Sequence, residues 1–126
     1  MKEISGTSDL YTKNIRMNWN IITSNDQLDL IEQESSKTPV VIFKHSTRCS
    51  ISSMAMNRFE RAWDENNGIK AYYLDLIQYR DISHAIAEKF GVVHQSPQVI
   101  VLKDGQVIYN DSHMGISVND IQSAAL

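Results

Sequence analysis

The chain of 126 residues contains one cysteine, Cys49, and that scarcity already excludes much. No internal disulfide can form, and neither four-cysteine nor three-cysteine zinc sites can be assembled. Prolines number two and glycines five, which removes collagen-like and low-complexity classes. Positive charge is not in excess: twelve Lys and Arg against fifteen Asp and Glu leave a formal net charge of −3. Nucleic-acid binders carry a basic stripe, and none is visible, so no nucleic-acid partner is expected. No apolar run approaches the roughly 20 residues of a membrane span. The first sixteen residues, MKEISGTSDLYTKNIR, lack the hydrophobic core of a secretory signal. A cytoplasmic protein with no membrane contact is expected.

What is present is an ordinary globular composition, 42% hydrophobic, in a length suited to one domain. A chain this long buries roughly two-thirds of its unfolded surface and needs no disulfide or metal to fold. Residues 1–16 show neither helical nor strand period and are expected to form a loosely ordered N-terminal extension. The folded domain then spans residues 17–126.

Hydrophobic periodicity predicts a strand at Trp19–Ile22. A helix follows, opened by Ser24 and Gln27 as a capping box and buried through Leu28, Leu30 and Ile31. Val40–Phe43 is a continuous apolar run, the pattern of a strand covered on both faces. Beyond it, Lys44 to Ser50 is polar. A second helix should bury Ile51, Met54, Ala55, Phe59, Ala62 and Trp63, with Met56 at the surface. Ile69–Leu74 reads as a strand faced by Tyr72 and Tyr73, and Ile82–Phe90 as a helix closed by Gly91. Pro97 precedes a strand over residues 98–102, Asp104–Gly105 signals a hairpin, and Ser117 to Asp120 caps a last helix. The order β-α-β-α-β-α-β-β-α predicts an α/β fold with three parallel-type crossings and a terminal antiparallel hairpin.

Cys49 falls just after the carboxyl end of a central strand and at the start of a helix. Ligand sites of α/β sheets lie there, in the crevice beyond the strand ends. A helix N-terminus favours an anion, and Lys44, His45 and Arg48 lie on the same segment, so the position suits a nucleophilic thiolate. A lone cysteine can equally be a small buried hydrophobe. Pro97 can be an edge feature or a cis proline in a tight turn. His45 and His113 either approach Cys49 and activate it or are surface residues at strand ends. With His84 and His94 they lack the spacing of metal ligands, so no metal site is expected.

Cys49-Ser50-Ile51-Ser52 opening a helix, Pro97 before the hairpin and Gly115 before the last helix resemble the thioredoxin-like fold, a mixed central sheet flanked by helices on both faces. His45 to Ser52 is similar to the monothiol bacilliredoxin family, whose motif reads Thr-Cys-Pro-Ile-Ser, over roughly Trp19–Leu126. Two departures stand out: Arg48 intervenes before the cysteine, and Ser50 replaces the proline. The resemblance implies a thiol-disulfide oxidoreductase with no tightly bound cofactor and with bacillithiol as co-substrate. Cys49 would attack bacillithiolated client proteins, and an NADPH-dependent bacillithiol disulfide reductase would recycle the product. Ser52 stands where thioredoxin has its second cysteine, so the resolving thiol must be external. The resemblance further implies a substrate site of Arg48, Ser50, Ile51, Ser52, Ser96, Pro97, Gly115 and Ile116. The segment before Gly115, His113–Met114, does not match the glycine pair of related glutaredoxins. Two other classes stay open, a non-catalytic thioredoxin-like binding module and an iron–sulfur cluster carrier.

Overall fold

The computed structural model describes residues 17–126, and the expected extension over 1–16 lies outside the described residues. Val40–His45 forms β2, the centre of a five-stranded sheet, with every residue buried. On one side β2 runs parallel to β3 (Lys70–Asp75), which pairs in turn with the short edge strand β1 (Asn20–Ile21). On the other side β2 runs antiparallel to β4 (Gln98–Lys103), and β4 pairs antiparallel with β5 (Gln106–Ser112). The order across the sheet is β1-β3-β2-β4-β5.

Successive residues of β2 feed opposite faces, as the pleat requires. Val41 and Phe43 pack with Ala55, Met56 and Phe59 of α2 (Ser50–Ala62) and with Val118 and Ile121 of α4 (Val118–Ala125). Val40 and Ile42 pack with Leu28 and Ile31 of α1 (Asp26–Glu34) and Ile82 and Ile86 of α3 (Arg80–Phe90). Helices therefore cover both faces, as expected. Tyr72, Tyr73 and Tyr79 all pack on the sheet in these two clusters. Phe43 is fully buried, with its ring 5.2 Å from that of Phe59 and 6.0 Å from that of Trp19. Phe43→Ala is expected to lower unfolding free energy by about 3–5 kcal/mol, measured by urea denaturation.

Several expectations are corrected. The third helical connection is not a parallel crossing, because β4 is antiparallel to β2. Gly91–Pro97 carries the chain from the end of α3 to the Lys44–Gln98 end of the sheet, where His94 lies beside Lys44 and Gln98 bonds Val93 and Gln95, and β4 therefore starts at the end where β2 finishes. Gly91 makes that exit possible by closing α3 in the left-handed conformation, φ 68°. Leu30 is exposed (57%), since Leu28 and Ile31 alone supply the buried stripe of α1.

Met54 and Met56 exchange their expected places. Met56 is buried, whereas Met54 and Ile51 are exposed and Ala62 faces solvent. The inward stripe of α2 is Ser52, Ala55, Met56 and Phe59, an i, i+3, i+4, i+7 set that begins on a polar residue. Ser52 is tolerated there because its hydroxyl is fully bonded, and the whole helix turns by about one residue to match.

Capping is half as expected at α1. Gln27 Oε1 accepts from the N–H groups of Thr23 and Ser24, but the N-cap residue, Asn25, makes no side-chain cap bond. At α4 the expectation holds, with Ser117 Oγ accepting from Asp120 N at 3.2 Å. The hairpin turn places Asp104 and Gly105 at φ 55° and 74°, the two positive values a two-residue connection of this kind demands. No helix among the described residues is long and apolar enough to cross a membrane.

Candidate functional site

Cys49 is the N-cap residue of α2, extended at φ −110°, ψ 123°, with a partly exposed side chain. The turn before it is closed by Cys49 N donating to Ser46 O at 3.2 Å, and Ser53 N donates to Cys49 O at 3.0 Å. Thr47, Arg48, Ser50 and Ile51 around it are exposed. The thiol thus sits on a tight turn at the positive end of a thirteen-residue helix, with a cationic side chain next in sequence.

Beneath this turn lies a buried polar set. Ser46 N donates to Ser52 Oγ at 2.9 Å, and Ser52 Oγ lies 2.7 Å from His45 Nδ1. All three residues are buried, Ser52 completely. Burial holds the His45 imidazole below its ordinary pKa, opposed in part by the charge of Asp75, so the ring is neutral near pH 7. Of the two roles left open for His45, a surface residue does not describe it: the ring is buried and its Nδ1 is engaged by Ser52. Ser52, expected to touch substrate, instead spends its hydroxyl inside the loop. Ser52→Ala leaves the Ser46 N–H buried without a partner and is expected to lower stability by about 1–3 kcal/mol in thermal or chemical unfolding.

The Ser96–Pro97 bond is cis, and Pro97 is buried just ahead of β4. Because Lys44 pairs with Gln98 across β2 and β4, Pro97 stands level with His45, at the same end of the sheet as the Cys49 turn. Gln98 holds the preceding loop, its Nε2 donating to Val93 O at 2.9 Å and its Oε1 accepting from Gln95 N at 3.2 Å.

Gly115 and Ile116 follow β5, Gly115 within a short 3₁₀ turn, His113–Gly115. His113 N donates to Pro97 O at 3.0 Å, which ties this turn to the proline. Arg58 of α2 ties its other side, donating from Nη2 to Met114 O and Ile116 O at 3.1 Å each. The side chain of Ile116 is buried in the core, leaving its backbone as the part able to face a ligand. Arg58, Phe59, Ala62 and residues 114–119 surround a cleft of about 350 Å³ along α2. His113 is exposed, and the fold sets it at φ 56°. The sequence reading missed Arg58 and the buried His45–Ser52 pair. A serine at a position where helical spacing demands an apolar residue was the available signal for the pair; none pointed to Arg58.

Behind the site on the other sheet face, Lys44 is fully buried, its Nζ donating to Ser83 O at 3.1 Å and lying 3.4 Å from His94 Nδ1. Burial pushes its pKa down to about 8. His94 is held below its usual value as well, first by burial and then by Lys44, His84 and Arg80.

The family model of the monothiol bacilliredoxin BrxC matches residues 20–121, which include every candidate site residue. The chain belongs to the monothiol bacilliredoxin family. Among solved structures it is similar to a proposed oxidoreductase with a thioredoxin fold, at 33% identity over 82% of this chain and 90% of the other, with a TM-score of 0.72. Two further likenesses concern the fold alone. Malassezia sympodialis thioredoxin is 24% identical over 86% and 88% of the two chains, TM-score 0.65. The long form of spinach chloroplast thioredoxin f is 16% identical over 92% and 93%, TM-score 0.66. A single-thiol bacilliredoxin on a thioredoxin fold is a thiol oxidoreductase by type, with bacillithiol as the small thiol its family name carries.

Proposed function

We propose that this bacilliredoxin removes bacillithiol from mixed disulfides on client proteins. The observation that carries the reading is the setting of the chain's only thiol: half-exposed at a helix N-cap, with a buried hydroxyl, Ser52, where a resolving thiol would have to be. The Cys49 thiolate attacks the bacillithiol sulfur of the mixed disulfide. That S–S bond breaks, the client leaves as thiolate and takes a proton from water, and Cys49 carries bacillithiol in a new disulfide. A second bacillithiol thiolate attacks its like in this adduct, releasing bacillithiol disulfide and restoring the Cys49 thiolate. An NADPH-dependent reductase then returns the disulfide to two thiols. No second protein thiol takes part, because none exists.

In this scheme the backbone of Ser96, ahead of buried Pro97, pairs with the bound substrate in strand fashion. Ser50 and Ile51 flank the thiol at the surface. Arg48 and the amides of Gly115, Ile116 and Ser117 offer donors for the carboxylates of bacillithiol. Ser52 acts through Ser46 and His45 by holding the turn.

Intact-mass measurement after mixing the protein with a bacillithiolated client tests the reading, with a glutathionylated client and Cys49→Ser as controls. A bacillithiol-sized adduct on Cys49 with the client recovered as free thiol is the expected result. No adduct from either client would overturn it and leave a binding module.

A further inference from the structure

The outward face of α2 begins beside Cys49 and has an unusual composition. Ile51, Met54, Arg58 and Arg61 follow one another at i, i+3, i+7 and i+10, a single line along the helix. Ile51 is 46% exposed and Met54 57%, and Met114 on the neighbouring turn is 51% exposed. Met54, Asn57, Arg58, Arg61 and Met114 enclose a cleft of about 240 Å³. That is smaller than the roughly 300–1,000 Å³ of a small-molecule site, and it suits one apolar side chain of a docked polypeptide. Methionine is the apolar residue best able to adapt to different shapes.

Charge on this face is one-sided. Arg58 and Arg61 are exposed along it and Arg48 is exposed on the turn before it, in a chain whose net charge is −3. The one carboxylate of α2, Glu60, is turned away and accepts from Trp19 Nε1 at 2.8 Å. The carboxylate beside the 3₁₀ turn, Asp111, is occupied by the Tyr109 hydroxyl and its own neighbour Ser112 N. Among the described residues no ion pair engages any of the three arginines.

We propose that this face is where the client docks, and that it takes an acidic segment carrying an apolar side chain next to the client's modified cysteine. The proposal rests on the thiol-exchange reading above and adds the chemistry of the partner. Helical rise puts Met54 about 7.5 Å and Arg61 about 18 Å along the axis from Cys49. An extended client strand covers those distances in about two and about five residues, so the apolar side chain belongs near the second position from the cysteine and the acids from there to the fifth.

Three substrates test this, each a mixed disulfide with bacillithiol: a cysteine peptide with leucine and three glutamates at those positions, the same peptide with lysines for glutamates, and bare cysteine. Turnover is followed for the native chain, Arg61→Glu and Met54→Ser. The expected result is a preference for the acidic peptide of about tenfold in kcat/KM at low salt, shrinking as salt screens it. Arg61→Glu should remove the preference and Met54→Ser should weaken both peptides, while bare cysteine is processed at the native rate by all three proteins. Equal turnover of both peptides with normal turnover of bare cysteine overturns this proposal alone. No turnover of any substrate sinks the thiol-exchange reading and takes this one with it. A dimer in sedimentation that Met54→Ser dissociates, without flank preference, assigns the face to a second copy and also overturns it.

Discussion

Cys49→Ser is expected to reduce protein de-bacillithiolation to the rate at which free bacillithiol exchanges with the client unaided. The reason is chemical rather than structural. Cys49 is already partly exposed and its side chain makes no cap bond, so a serine fits the turn without new strain and the variant should unfold like the native chain. Serine cannot supply a thiolate, however, and nothing else in the chain can, since no other cysteine exists. The measurement is release of client thiol with time at several bacillithiol concentrations. The native protein should show ping-pong behaviour, with bacillithiol needed to regenerate Cys49; the variant should show only the slow direct reaction, first order in bacillithiol. Catalysis retained in the variant would remove Cys49 from the mechanism.

The second large effect concerns pH and stability, and it comes from Lys44. Its pKa is about 8 in the folded chain against 10.5 for an ordinary lysine. Between those values the unfolded chain binds the proton that the folded chain has given up, so the contribution of Lys44 to stability rises with pH from about 8 to 10.5. The full rise is on the order of 3 kcal/mol, and it is absent below pH 8, where Lys44 is charged in both states. Lys44→Met should abolish this rise and stabilise the protein by about 1–3 kcal/mol at pH 7, because it removes a buried charge that faces Ser83 and His94 and no carboxylate. His45 and His94, both held low, act at the acid end: stability falls as pH drops below about 6.5. Denaturant titrations from pH 5 to 10.5 on both proteins check these slopes. Tyr72, Tyr73 and Tyr109, all held above their ordinary pKa, oppose the rise near pH 10, so the readout is the difference between the two proteins; a difference that stays constant from pH 8 to 10.5 would mean that Lys44 is not desolvated.

Much of this molecule is legible in the order of its residues. Val40–Phe43 reads as a strand covered on both faces, Asp104–Gly105 signals a hairpin turn, and Gly91 and Ser117 mark helix ends by local chemistry. The stretch His45 to Ser52 likewise pointed to the family through its resemblance to the bacilliredoxin motif, and the family match over residues 20–121 agrees. Such features depend on backbone preference and on neighbours in sequence.

Other features required the packed chain. Whether Met54 or Met56 faces the core depends on the rotation of α2. That rotation is set by Ser52 bonding Ser46 and His45, residues that belong to the preceding strand and turn. The direction of β4 depends on the end of the sheet at which Gly91–Pro97 meets β2, and apolar patterning carries no direction. Arg58 clamps a turn 56 residues away, a contact with no local signature. The sequence by itself determined the sheet elements, several helix ends and the place of the one thiol sulfur. Tertiary structure alone decided which residues surround that atom, because burial and hydrogen-bond satisfaction are settled between segments that meet only once the chain is folded.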